Sequence, residues 1–359
     1  MTRSHGSASD LEQEAGRAAA ERRSHITMQE VARRAGVSAM TVSRALKNDS
    51  SVSPRTLTRV LEVVRETGYV PDAMARVFAS GRSGFVAVLV PSINNSNFAD
   101  TTRGMSAIFE GAGLQMLLGD TGYSLQREEQ LIGALLRRRP EAMVLTGGVH
   151  SPRARKMIAS ADIPVVETWD LPKKPLGHVV GFSNAAAGRA MALYLHQRGY
   201  RRVGFIGGAT NRDPRGAARR AGYAQAIREL GLTPERIIAF GEPPATMEQG
   251  GEALGLLLSQ WPDTDAIVCV SDLSAFGALM ECHRRGLRAP SQIAIAGFGD
   301  FDVARSSWPR LTTIAVDALG IGEQTARLVL SALEARQRGA KLPAERIEMG
   351  FRVVARETT

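Results

Sequence analysis

The chain of 359 residues is poor in cysteine, with only Cys269 and Cys282, which excludes a disulfide scaffold and a four-cysteine zinc site. Its six histidines (His5, His25, His150, His178, His196 and His283) are scattered without metal-ligand spacing and read as surface or capping residues. Long hydrophobic runs are missing: no apolar stretch approaches the ~18 residues a spanning helix needs. Residues 1–24 carry Arg3, Asp10, Glu12, Glu14, Arg17 and Glu21 without an apolar segment, so they read as a disordered tail rather than a signal peptide. A soluble, cytoplasmic protein is expected. Nucleotide loops are lacking too. There is no Walker sequence, and Gly204–Thr210 follows a strand without completing Gly-x-Gly-x-x-Gly. Neither cysteine has an evident paired base. Neither catalysis nor a cofactor nor a metal is expected.

What is present is ordinary globular composition, 44% hydrophobic and 23% charged, in a length that suits two or three domains. The net charge of +9 is unevenly spread. Residues 22–82 hold 11 Lys and Arg against 5 Asp and Glu, a net of +6 in 61 residues, whereas the other 298 supply +3. A small basic module on a nearly neutral body suggests that the module meets a polyanion. A merely solvated charged surface is the competing reading.

The helices in that module bear on the choice. Thr27-Met-Gln-Glu30 has the capping-box pattern, a hydroxyl at N-cap and a carboxylate three residues on. Val31, Ala32 and Ala35 continue that helix, and Gly36 ends it. Ser38 caps a second helix, Ala39 to Leu46, with Val42, Ala45 and Leu46 on one face. Ser53-Pro54 opens a third, where Leu57, Val60, Leu61 and Val64 recur with helical spacing until Gly68. Two short helices joined by a glycine-bearing turn and braced by a third form a helix-turn-helix, whose second helix enters the major groove by its N-terminal end. That places Ala39 and Met40 for apolar contact with thymine methyls, and Ser38, Thr41 and Ser43 as hydroxyl donors to phosphate. Arg44, a turn later, pairs with guanine or holds a phosphate. A plain three-helix bundle, its Ser and Thr serving only as caps, fits the same pattern.

Ile26-Thr-Met-Gln-Glu-Val-Ala-Arg-Arg-Ala-Gly-Val-Ser-Ala-Met-Thr-Val-Ser-Arg-Ala-Leu46, with Val52-Ser-Pro-Arg-Thr56 and Gly68-Tyr-Val-Pro71, resembles the lactose/galactose repressor (LacI/GalR) family. The resemblance implies binding to double-stranded operator DNA through Thr27, Ser38, Ala39, Met40, Thr41, Ser43 and Arg44. It also implies that Asp72–Gly81 is a hinge helix, with Ala75 and Phe78 meeting the minor groove. Family members usually carry leucine at the position of Phe78, whose ring can still unstack a base step. A linker with Phe78 packed on the body is the alternative.

From Phe85 the pattern alternates between strand and helix: strands at Val86–Val90, Leu114–Gly119, Ala142–Thr146 and Pro164–Glu167, then Arg202–Gly207, Arg236–Phe240, Ala266–Ser271 and Gln292–Gly297. Such βα alternation implies parallel sheets, and two sets imply two doubly wound lobes with ligand at strand C-termini in the crevice between them. The resemblance extends over 85–355 and implies a periplasmic-binding-protein-like body, whose chain crosses between lobes near Gly181–Ser183, near Phe301–Leu311 and after about residue 340. The expected architecture is therefore an N-terminal all-α helix-turn-helix domain and an α/β body. Its parts are a tail (1–24), the helix-turn-helix (25–71), the hinge and linker (72–84) and a two-lobed effector-binding and dimerisation domain (85–359). No heptad-bearing tail follows Arg356, so the resemblance implies a homodimer.

Strand ends supply the pocket candidates Asn94, Asn95, Phe98, Thr146, Glu167, Trp169, Ser271, Phe298 and Asp300, with Arg212, Arg215, Arg219 and Arg220 after Gly207. Within the family the arginine three residues before a Gly-Tyr pair grips the effector; here that residue is Arg219, before Gly222-Tyr223. Without the family resemblance, Arg219 and Arg220 read rather as a solvated helix end. Gly297-Phe-Gly-Asp300 puts Gly299 where many sugar-binding members have aspartate. Fewer carboxylates beside several arginines favour an anion. With Gly119-Asp-Thr-Gly-Tyr123, Leu145-Thr-Gly-Gly148 and Ile163-Pro-Val-Val-Glu-Thr-Trp-Asp170, the chain resembles gluconate operon repressors. The implied effector is a sugar acid, D-gluconate first, although Glu167 opposes an acid unless it binds distant hydroxyls. An idonate or ketogluconate sensor, an activator, and a sugar-binding module without a regulatory role are the alternatives.

Overall fold

The structure, a computed structural model, describes residues 26–47, 49–70, 82–207, 212–232 and 235–359. The chain divides into two units between Arg82 and Ser83.

In the first unit, α1 (Met28–Ala35), α2 (Ala39–Leu46) and α3 (Pro54–Thr67) fall where the caps and stops put them. Gly36 and Gly68 end α1 and α3 in the left-handed region (φ 65° and 63°), which costs glycine nothing. Val31, Ala35, Val42, Ala45 and Val60 close the small core. One detail differs from the sequence expectation. The Thr27 hydroxyl accepts from Glu30 N–H at 3.3 Å, but the Glu30 carboxylate turns forward to Arg33 and Arg34 instead of back to the cap. Two guanidiniums attract it more strongly than one neutral N–H.

The second unit holds two six-stranded sheets. The first lobe runs β1 (Phe85–Val90), α4 (Ser96–Gly111), β2 (Gln115–Asp120), α5 (Leu125–Leu136), β3 (Ala142–Thr146), α6 (Pro152–Ala161), β4 (Val165–Thr168) and β5 (His178–Gly181). The second runs α7 (Asn184–Gln197), β6 (Val203–Gly207), α8 (Pro214–Glu229), β7 (Arg236–Ala239), α9 (Met247–Gln260), β8 (Ala266–Cys269), α10 (Asp272–Arg284), β9 (Ala294–Phe298), α11 (Asp302–Ser306) and β10 (Thr312–Val316). The chain then returns to the first lobe as α12 (Ala318–Gln337) and β11 (Arg346–Glu348), and ends in the second as β12 (Phe351–Val354). The sheet orders are β11-β5-β4-β3-β1-β2 and β12-β10-β9-β8-β6-β7. Every pairing is parallel except β10 with β12. The strands are buried on both faces: Val86, Val88 and Val90 join one core cluster while Ala87 and Leu89 join another.

The first lobe crossing lies at Phe182–Ser183, as expected. The second falls at Asp317, after β10, and not within 301–311, because Thr312–Val316 pairs with β9 and extends the second sheet. The third lies at Met349–Gly350. Strands β5, β10, β11 and β12 were not marked by the sequence pattern. They have three to five residues each, too few to display a period.

Helices α7 and α8 pack through glycine. A Cβ at Gly222 would lie 1.8 Å from the Ala185 carbonyl oxygen, and one at Gly188 1.9 Å from that of Arg219. Gly222→Ala should therefore push α8 off α7 and destabilise the second unit by about 1–3 kcal/mol. Urea unfolding followed by circular dichroism measures it, and an unchanged midpoint would refute the close packing.

Candidate functional site

On the helical unit, Ser38, Met40 and Arg44 are exposed along the start and outer face of α2, with Met40 63% exposed. Thr41 and Ser43 are half-buried, and the two hydroxyls of Ser38 and Thr41 lie 2.9 Å apart. Ala39 packs on the unit's core and offers little surface. Thr27 is exposed, its hydroxyl engaged as the α1 cap. Hydrogen bonds from Arg33 and then Arg34 hold the Glu30 carboxyl down at about 2, so both guanidiniums on α1 are tied to their own helix. Arg44 has no such tether among the described residues. Ala75 and Phe78 lie outside the described residues, as does the expected hinge helix.

In the second unit a cavity of about 290 Å³ opens between the lobes. The first lobe contributes Asn95, Asn97, Phe98, Tyr123 and Trp169; the second contributes Asp213, Arg215, Arg219, Ser271 and Phe298. Asp213-Pro214 starts α8 and so sets Arg215 and Arg219 one turn apart on one face. The Arg219 guanidinium lies 4.1 Å over the Phe298 ring, donates to Asn184 Oδ1 at 2.7 Å and stands 3.8 Å from Asp213. Burial lowers its pKa against the pull of Asp213, and among the described residues its buried Nε and Asp213 Oδ1 have no hydrogen-bond partner. The Arg215 guanidinium lies over Phe98 at 5.3 Å and Tyr123 at 5.9 Å. Trp169 edges against Phe98 at 5.4 Å and donates its indole N–H to Thr101 at 3.1 Å.

Eight of the thirteen expected cleft residues therefore meet at one cavity: Asn94, Asn95, Phe98, Trp169, Arg215, Arg219, Ser271 and Phe298. Thr146 lines a smaller neighbouring cavity of about 70 Å³ and donates its hydroxyl to the Leu89 carbonyl at 3.0 Å. Glu167 and Asp300 do not line the cavity. Glu167 is fully buried, accepting from Leu176 N–H at 2.6 Å and contacting His150 Nε2 at 3.2 Å. Asp300 is drawn to Arg356 at 2.5 Å and to Arg305 at 3.4 Å. Each carboxylate follows its nearest cation. Gly299 has φ 128°, and a Cβ there would meet the Phe301 ring at 2.4 Å, so an aspartate could not stand at that position without displacing the ring. Sequence reasoning passed over Asn97, Tyr123 and Asp213, and did not single out Arg215. For Arg215 a signal existed, the i, i+4 spacing with Arg219 after an Asp-Pro helix start.

Residues 27–72 match the model for bacterial regulatory proteins of the lacI family, and residues 192–359 match a periplasmic binding protein-like domain. The HTH-type transcriptional regulator GntR of Pseudomonas aeruginosa is 37% identical over 333 residues, 93% of this chain and 95% of that protein. The chain belongs to the LacI family of transcriptional regulators. GntR of Escherichia coli is 33% identical over 324 residues, 90% of this chain and 96% of that protein. Regulators named IdnR and CytR from the same organism align at 31% and 32% identity. A crystal structure of a LacI-family regulator from Silicibacter pomeroyi superposes with a TM-score of 0.85 at 33% identity, covering 92% of this chain and 98% of that one. This LacI-family chain is thus a transcriptional repressor and not an enzyme, which sets aside the sugar-binding module without a regulatory role. Among the described residues no group of three or more His, Cys, Asp or Glu is placed to hold a metal, and no helix is long and apolar enough to cross a membrane.

Beside the small cavity, His150 is clamped between Glu128 at 2.8 Å and Glu167 at 3.2 Å. Burial alone would lower its pKa, but the hydrogen bonds to Glu128 and Glu167 raise it to about 9. The stabilisation this supplies is complete below the ordinary value of 6.5 and is lost as pH rises through about 9. At ~1.4 kcal/mol per pKa unit it is on the order of 3 kcal/mol. Urea midpoints between pH 6.5 and 9.5 should fall in the wild type and stay flat in His150→Gln. Parallel profiles would refute the clamp.

Proposed function

We propose that this LacI-family repressor controls a sugar-acid catabolic operon as a homodimer and leaves its operator on binding D-gluconate. The acid is carried by one observation. Two guanidiniums, Arg215 and Arg219, line the cavity with one carboxylate, Asp213, while Glu167 and Asp300 are neutralised elsewhere. Such a balance attracts a single negative charge, and Asn95, Asn97 and Ser271 offer partners to hydroxyls. The relatives named GntR support the same acid. The volume of about 290 Å³ sits at the lower end of ligand pockets, which suits a six-carbon acid. A relative named IdnR makes idonate, the epimer, the second reading.

On DNA, Met40 and Arg44 face the bases of a half-site, with Ser38, Thr41 and Ser43 toward phosphates and Thr27 and Ala39 alongside. Two such modules read the halves of a pseudopalindrome. Ala75 and Phe78 belong to the hinge in this reading. Gluconate acts by differential affinity for the two lobe arrangements, since equal affinity would shift nothing.

Gel-shift titration of a palindromic operator from the upstream region, with and without D-gluconate, tests the proposal. Release by gluconate is expected, and release only by idonate would move the assignment to the second reading. Retention under every sugar acid would overturn it. Arg44→Ala should weaken operator binding by about 1–3 kcal/mol and relax base preference at one position of each half-site. Operator affinity should also fall with salt at a log–log slope of about −0.9 per phosphate neutralised. Equal weakening on all sequences would make Arg44 a phosphate contact.

A further inference from the structure

Arg215 and Arg219 share a helix face and a cavity, but their electrostatic surroundings differ. Arg219 has a counterion: Asp213 offsets its charge at 3.8 Å and Asn184 accepts from it at 2.7 Å, although its buried Nε has no hydrogen-bond partner among the described residues. Arg215 is more exacting. It is only 7% exposed, and no carboxylate forms an ion pair with it among the described residues. Its surroundings are the rings of Phe98 and Tyr123 and the Tyr123 hydroxyl, a neutral hydrogen-bond partner. An aromatic face attracts a cation without neutralising it, and a buried cation without a counterion is costly to hold. The notch that receives it is shaped for the guanidinium. Gly147 has φ 97°, and a Cβ there would lie 3.1 Å from an Arg215 terminal nitrogen.

Position adds a second observation. Arg215 stands on α8 of the second lobe, whereas Phe98, Tyr123 and Gly147 belong to the first. The side chain lines both the main cavity and the smaller one beside it. An anion held by Arg215 would therefore sit where the lobes meet.

We infer that Arg215 is the residue that makes the cleft select an acid over a neutral sugar, holding the ligand carboxylate at the Tyr123 end of the cavity. The inference rests on the sugar-acid reading and deepens it. Arg219, already offset by Asp213, then orients the ligand by hydrogen bonding and contributes little to charge selection. The Arg215 fork supplies two parallel N–H donors to the carboxylate, which a lysine ammonium does not match.

Calorimetric titration of the full-length protein with D-gluconate and with its uncharged amide, D-gluconamide, tests this. The wild type should bind the acid about 10- to 100-fold more tightly than the amide, and in Arg215→Gln the preference should fall to about threefold or less because acid affinity drops far more than amide affinity. Arg215→Lys, which keeps the charge but loses the fork, should retain part of the preference. A glutamine variant that still discriminates fully overturns the inference and leaves the sugar-acid reading intact. Equal loss of both ligands in that variant, or no preference for the acid in Arg215→Lys, also overturns it. A wild type that does not distinguish acid from amide overturns both.

Discussion

A guanidinium buried at a cleft needs acceptors that hold still, and Arg219 obtains them from Trp169 through Asn184. The Asn184 side chain donates to the Trp169 carbonyl at 3.0 Å and accepts from Arg219 at 2.7 Å. Trp169 is itself fixed: its indole N–H bonds to Thr101, whose hydroxyl lies 2.9 Å from the Ala318 carbonyl. Asn184 opens α7 just after the first lobe crossing, and Ala318 opens α12 just after the second. One relay of hydrogen bonds thus ties two of the three connections between the lobes to the cation at the cavity. Around it runs a line of rings: Phe98 to Trp169 at 5.4 Å, Trp169 to Phe182 at 5.8 Å, and Phe182 to Phe298 at 6.0 Å. Such rings are rigid and bury large areas, so the two lobes share one core cluster at this level.

Apart from Asp213, which lines the cavity beside Arg219, the carboxylates near the cleft are engaged before a ligand arrives. Glu128 and Glu167 clamp His150, Asp300 pairs with Arg356, and Asp272 is buried against the Thr313 hydroxyl and the Phe301 N–H. Burial pushes the Asp272 carboxyl up to about 6, opposed by those two donors. Asp272 thereby holds the loop that carries Phe301 and Gly299 against α10. What remains facing the cavity is an excess of cation, and the proposed acid effector follows from that sign. The helical unit shows the same economy in reverse. Glu30 restrains Arg33 and Arg34, leaving α2 to present Met40 and Arg44 outward.

Much of this was legible in the residues. Hydroxyl caps at Thr27, Ser38 and Ser53 and glycine stops at 36 and 68 placed three helices closely, because capping and left-handed glycine are local effects. Apolar runs such as Val86–Val90 marked the longer strands for the same reason. The site was legible in part. Strand-end positions brought Asn95, Phe98, Trp169, Ser271 and Phe298 to one cavity, since a doubly wound sheet places its strand C-termini together.

The sequence by itself determined the periodic and the local: helix ends, buried strands, the basic module and the family pattern. Tertiary structure alone decided which charges are free. Whether Glu167 or Asp300 faces a ligand depends on which cation lies within about 4 Å after folding, and Coulomb attraction at that range is set by residues distant in the chain. The same holds for the short strands β5 and β10 and for Arg215. Its lack of a carboxylate partner among the described residues is a property of the fold around it, made by rings from one lobe and a helix from the other.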